Sequence, residues 1–323
     1  MWIVAAGALS IVAACGSTDP GVSAGTASGA TVPDGSSPIP PTDAVTTAEP
    51  ASTAPASSAP ASSAAATSAP GPIGSTELAL VVATDALLGW WDGTRWVDSD
   101  ATSAAELPSV DGAAFTVVGL GPAPSQTVAG APVVGCEPLG SYTVAFDPPF
   151  DDLAGPVIAV NSSWDLSPRP TELLDAASEP QVSQLVAGWL SDQNIAGAPV
   201  GIVQIVRSDL DGDGTAELLI AVEHPDATTT VGPRARWYSA VLLVRTASGG
   251  DQVSTLASDV RLVDDDSYPS MTTYRLQAVV DLNGDGRMEI AVHDQEFEGA
   301  GTTVFELPPD GTAHEVLTGG CGV

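Results

Sequence analysis

The 323-residue chain carries 40 acidic residues against nine basic ones, a formal charge of −31, and every basic residue is an arginine, the first at Arg95. Cations so few and so scattered exclude a phosphate-tracking nucleic-acid surface and a polybasic patch for anionic lipid. With 44% hydrophobic and only 15% charged residues, the composition nonetheless supports a folded core.

Residues 2–14 (WIVAAGALSIVAA) form an apolar run too short for a spanning helix of about 20 residues and of the length of a secretory h-region. It runs into Val12-Ala13-Ala14-Cys15-Gly16, which resembles the bacterial lipobox: an aliphatic residue, small residues that lie flat in a peptidase groove, then a cysteine. The resemblance implies that residues 1–14 are removed and that Cys15 takes a diacylglyceryl group and becomes the amino terminus. Two or more acyl chains, palmitate among them, then give a stable membrane anchor, which one chain does not. The expected location is the outer face of the plasma membrane, within the cell envelope.

From Cys15 to residue 74 the chain is Ser, Thr, Ala, Pro and Gly, with Asp19, Asp34, Asp43 and Glu49 as its only charges and no aromatic residue. Such a segment buries too little apolar area to offset its ordering entropy, so it is expected to be a disordered tether. Its reach lies between about 40 Å as a coil and about 180 Å in extended polyproline form, enough to lift a domain into or through a cell wall.

Residues 75–323 hold all nine arginines and all but four of the acids, and are long enough for one domain or for two subdomains, 75–170 and 171–323. Apolar stretches between Gly, Pro, Asp and Asn clusters have a β rhythm. Strands are expected at Glu77–Ala83, Leu88–Trp91, Arg95–Val97, Phe115–Gly119, Tyr142–Phe146 and Val157–Val160. More follow at Gly201–Arg207, Leu218–Glu223, Trp237–Arg245, Gln252–Leu256, Tyr274–Val280, Ile290–His293 and Thr302–Leu307. Asp92-Gly93 makes a tight hairpin between Trp91 and Trp96, rings suited to cross-strand packing or, if exposed, to sugar binding. One helix is expected: a capping box of Ser178 and Gln181, Pro180 in the first turn, an apolar stripe of Val182, Leu185, Val186, Trp189 and Leu190, and Gly197 as the stop. The fold class is therefore α+β with β dominant, antiparallel sheets carrying one amphipathic helix.

Cys136 and Cys321 are the other two cysteines. In an exported protein a disulfide between them is favoured over free thiols, and over zinc, for which the ligand count is short. It would close a loop of about 185 residues, with an upper stabilisation of about 5 kcal/mol in the loop-entropy model.

The strongest internal signal is a repeated loop. Asp209-Leu210-Asp211-Gly212-Asp213-Gly214-Thr215-Ala216-Glu217 recurs 72 residues later as Asp281-Leu282-Asn283-Gly284-Asp285-Gly286-Arg287-Met288-Glu289, each copy between apolar strand candidates. A hard cation such as Ca²⁺ takes roughly six to eight oxygens at about 2.3–2.6 Å. Side chains at positions one, three and five can converge on one point where glycine permits the turn. The first set is Asp209, Asp211 and Asp213, with the Thr215 carbonyl and Glu217; the second is Asp281, Asn283 and Asp285, with the Arg287 carbonyl and Glu289. An EF-hand is excluded: position twelve is Ile220 or Val292, and strands flank both loops. The loops resemble the FG-GAP or VCBS-type calcium loop of integrin-like repeats, D-x-[DN]-G-D-G-x-x-[DE], over about 20 residues each. The resemblance implies structural Ca²⁺ bound through those positions, more weakly in the less acidic second copy.

Signs of catalysis are few. His224, His293 and His314 are the only histidines, and neither a G-x-S-x-G elbow nor an H-E-x-x-H helix is present. Glu296 and Glu298, if on one strand, would share a face at about 6.6 Å, a spacing suited to an inverting glycosidase. The expectation is a lipid-anchored envelope protein that displays a calcium-stabilised binding or structural domain to a cell-wall or extracellular ligand. The alternative is a hydrolase of wall polysaccharide that uses acidic residues.

Overall fold

A computed structural model describes residues 77–322, apart from 85, 104, 122, 137–140, 150–156, 228–233, 248, 265–270 and 309–310. The signal segment, Cys15 and the tether lie outside the described residues.

Residues up to Asn161 build the first sheet. Its strands are β1 (Ala79–Ala83), β2 (Ala86–Trp91), β3 (Trp96–Asp98), β4 (Ala114–Val118), β5 (Ser125–Ala129), β6 (Val133–Cys136), β7 (Ser141–Thr143), β8 (Phe146–Asp147) and β9 (Ile158–Asn161). Their order is β6-β7-β2-β1-β9-β4-β5-β8, with β3 paired to β2. The second sheet runs β10 (Thr171–Leu174), β11 (Ile202–Ser208), β12 (Glu217–Glu223), β13 (Tyr238–Ala247), β14 (Gly250–Val260), in chain order, and helix α1 (Pro180–Asp192) precedes β11. The third is a four-stranded meander of β15 (Thr273–Val280), β16 (Glu289–Gln295), β17 (Gly299–Glu306) and β18 (His314–Gly322). The described strand pairs are antiparallel. The fold is α+β with β dominant.

The sheets stack face to face, with the third in the middle. Ala278, Val280, Ala291, Val304 and Leu317 turn one of its faces to Val81, Leu88, Ile158 and Val160 of the first sheet. Leu276, Val279, Ile290, Val292 and Phe305 turn the other to Val206, Leu219, Val241 and Leu243 of the second. The far side of the second sheet (Ile205, Ile220, Val222, Leu242) is covered by Val182, Val186, Trp189 and Leu190 of α1. Strands enclosed on both faces need apolar residues at successive positions, because either face left polar would bury unpaired groups. That is why Ile290-Ala291-Val292 and Ile220-Ala221-Val222 read as runs rather than alternations.

The helix exists with its expected apolar face, but its ends differ from expectation. Ser178 closes a 3₁₀ turn, Ala176–Ser178, in which the Ala177 amide is capped by Asp175; the residue before α1 is Glu179, which makes no side-chain cap. Pro180 at the first helical position needs no donor partner and sets the start on its own. The helix stops at Asp192 and Gln193, before Asn194 turns left-handed at φ 63°, so Gly197 is not its terminator.

Four strands, β5, β6, β10 and β18, were not expected from the sequence. Strand β10 lies at a sheet edge with exposed side chains, and β18 holds Gly319, Gly320 and Gly322, residues of poor strand propensity. They suit their place: a Cβ on Gly320 would fall 2.5 Å from the Ala300 oxygen across the β17–β18 pair. The expected strand Tyr142–Phe146 is two short ones, β7 and β8, on opposite halves of the first sheet.

Candidate metal centres

Both acidic loops close the first hairpin of a stacked sheet. The second sheet's loop joins β11 to β12 where Ser208 pairs Glu217. The third sheet's loop joins β15 to β16 where Val280 pairs Glu289. We call them the first and second loops.

Their internal hydrogen bonds are the same, residue for residue. The position-one carboxylate accepts from two glycine amides: Asp209 from Gly212 at 2.8 Å and Gly214 at 3.2 Å, Asp281 from Gly284 at 2.7 Å and Gly286 at 2.9 Å. Position three accepts the amide two residues on, Asp211 from Asp213 and Asn283 from Asp285. Position five does likewise, Asp213 from Thr215 and Asp285 from Arg287. The glutamate at position nine opens the returning strand and reaches back to the position-two amide, Glu217 to Leu210 at 2.8 Å and Glu289 to Leu282 at 2.6 Å. The turn needs left-handed backbone at positions four and six, met by glycines with φ 80° and 88° in the first loop and 73° and 77° in the second. Leu210 and Leu282 are fully buried and nail each loop to the core.

The loops touch. The Met288 amide donates to the Leu210 carbonyl at 2.9 Å. Arg169, in the segment between the first and second sheets, bridges them: its Nε donates to the Gly286 carbonyl at 2.9 Å and its Nη1 to Asp209 at 3.2 Å. The same segment holds the second loop through Trp164 Nε1 on the Asp281 carbonyl and the Asp281 amide on the Leu166 carbonyl.

Their surroundings differ. In the first loop one oxygen each of Asp209, Asp211 and Glu217 lies within 4.8 Å of the others, a spacing suited to a cation, and arginines reach all three. Arg245, from β13, sits 2.6 Å from Asp211 and 3.9 Å from Glu217; Arg169 covers Asp209. Burial pushes the Glu217 carboxyl up, Asp211 adds to this, and Arg245 opposes it.

In the second loop Asp281, Asn283 and Glu289 are 3%, 2% and 0% exposed. Among the described residues no arginine or histidine lies within ion-pair distance of Asp281, Asp285 or Glu289. Burial raises Asp281 to about 6, against the pull of the Gly286 and Gly284 amides. It raises Glu289 well above the usual carboxylate range, with Asp285 and Asp281 adding repulsion. Glu289 Oε2 accepts the Leu282 amide, but Oε1 is buried with no partner. A buried acceptor left unpaired carries its full desolvation cost, and a divalent cation on Asp281, Asn283, Asp285, the Arg287 carbonyl and Glu289 would remove it. These residues fit the group that the loop pattern implies.

The other candidates stand apart. Trp90 is buried in the outer core of the first sheet. Trp91 and Trp96 are half-buried and pack edge to face at 5.3 Å against the inner core. Glu296 and Glu298 fall in the turn after β16 rather than on a strand, so the strand argument for a carboxyl pair does not hold. Cys321 lies in β18 and is disulfide-bonded; Cys136 ends β6, which touches β18, and its side chain lies outside the described residues. Sequence reasoning missed Arg169, Arg245 and Trp164, since no local pattern ties a residue to a loop formed 40 or 117 positions away.

Among the described residues no helix is long and apolar enough to cross a membrane. Comparison of the chain with models of known protein families, with characterised proteins and with solved structures gives no match.

Proposed function

We propose that this is an exported protein, anchored by acylated Cys15 to the outer face of the plasma membrane, which displays a calcium-stabilised, β-rich module to a wall or extracellular ligand. The observation that carries the calcium reading is Glu289: a fully buried carboxylate with one oxygen unpartnered, facing the acids of a loop whose glycines and side chains follow a calcium-binding pattern. When bound, Ca²⁺ supplies positive charge and accepts oxygen ligands. Asp281, Asn283, Asp285 and Glu289 orient those oxygens, and the buried Leu282 keeps the loop closed on the core. The role is structural, because the ion neutralises buried acids at the junction of stacked sheets. Pairing of Cys136 with Cys321 belongs to the same reading, as it would tie the first sheet's edge strand to the third sheet.

Thermal denaturation of the full chain in chelator and then in millimolar Ca²⁺ tests the metal: melting should move up by several degrees, and an unchanged curve rejects it. Fractionation of cells making the native chain or Cys15→Ser tests the anchor. The native chain should sediment with membrane and the variant should not; equal partitioning rejects the anchor.

A further inference from the structure

The calcium reading is carried by the second loop and leaves open whether the first takes an ion as well, which its richer acid content favours. We infer that the geometry reverses this: Arg245 is the built-in cation of the first loop, and the second loop alone takes calcium. This inference rests on the calcium reading and refines it.

Three observations carry it. First, Arg245 stands on carboxylates a metal would need, at 2.6 Å from Asp211 and 3.9 Å from Glu217, two of the three acids whose oxygens converge. Arg169 holds the third, Asp209. A Ca²⁺ ion there would have to displace the Arg245 guanidinium, whose side chain is only 27% exposed, and would leave its positive charge close by.

Second, Arg245 has a prepared seat. Its Nη1 lies against Gly311, between β17 and β18, where a Cβ would come within 1.7 Å. The glycine that makes room belongs to the third sheet, so the arginine is clamped between two sheets rather than trailing in solvent. Third, among the described residues the second loop lacks such a cation. Arg169 approaches it only at the Gly286 carbonyl, which is not among the implied ligands, and Glu289 Oε1 stays without a partner. One loop has an internal counter-charge and the other has an unfilled need.

Calorimetric titration of the full chain with Ca²⁺ after chelator treatment reads the number of ions bound. The native chain should take one. Glu289→Gln should reduce that to none, and Asp213→Asn should leave it at one. Arg245→Gln should raise it to two, and Asp213→Asn in that background should return it to one. Gly311→Ala, which evicts the guanidinium without deleting it, should also give two and guards against misfolding of Arg245→Gln. Two ions in the native chain, or one that survives Glu289→Gln and vanishes with Asp213→Asn, overturns the inference while the calcium reading stands. No ion in any variant overturns both.

Discussion

The two acidic hairpins share a skeleton and differ in company. Position by position their hydrogen bonds coincide, yet among the described residues arginines reach the carboxylates of the first and not those of the second. A loop's own residues thus set its backbone, whereas its charge balance is set by whatever the surrounding sheets bring to it. Counting acids within the loop therefore overstates its net negative charge: the copy with more acid is also the one with more counter-charge.

The largest effects are expected where the loops are alike. Leu210→Ala and Leu282→Ala should each cost about 2–5 kcal/mol, as for other buried leucines, read by denaturant unfolding. Similar losses are expected, since both side chains are 0% exposed. A cost confined to one would mean that the skeletons are not equivalent.

Calcium should separate the loops. At a hundredfold excess over Kd one site adds about 2.7 kcal/mol, and each kcal/mol moves the melting point of a domain this size by about 2–4 °C. A shift of about 5–10 °C is expected in the native chain, lost in Asp281→Asn and kept in Asp209→Asn; the opposite pattern would reverse the assignment.

Smaller effects probe local parts. A Cβ added at Gly214 would meet no atom within 4 Å, but the backbone there has a φ of 88°, so Gly214→Ala should cost only the left-handed penalty of about 1–2 kcal/mol. Trp164→Phe removes the hydrogen bond to the Asp281 carbonyl and should cost about 1 kcal/mol while weakening calcium binding more than an equal loss elsewhere.

A pH dependence gives a separate probe. Asp281 is raised in the folded chain from 3.8 to about 6, so folding favours its protonated form. That contribution is present at low pH and is lost as the pH rises from about 4 through about 6. In chelator the melting point should fall across that window. With Ca²⁺, which favours the ionised carboxylate, the fall should disappear. A rise across the window in chelator would contradict the burial of this carboxylate.

The Asp92-Gly93 hairpin, the hairpins at both acidic loops, the β-dominant class and the apolar face of α1 were legible from the chain alone. These depend on short-range rules: apolar runs, glycine where backbone turns left-handed, and acids spaced to converge. Edge strand β10 and glycine-rich β18 were not, because exposure and tight strand approach, rather than propensity, decide them. The helix cap was misplaced by one residue because Pro180 sets the first helical position without any side-chain cap on Glu179.

The order of amino acids determined the loops' backbone, since Gly212, Gly214, Gly284 and Gly286 and the carboxylates they bond lie within nine positions of one another in each loop. Only the tertiary structure decided their electrostatics. Arg245 comes from 34 positions away, on the strand paired with β12, and Arg169 from 40 positions away, in the segment that leads into β10. Charge acts through space, so which acids are answered and which stay unanswered depends on packing that no local pattern records.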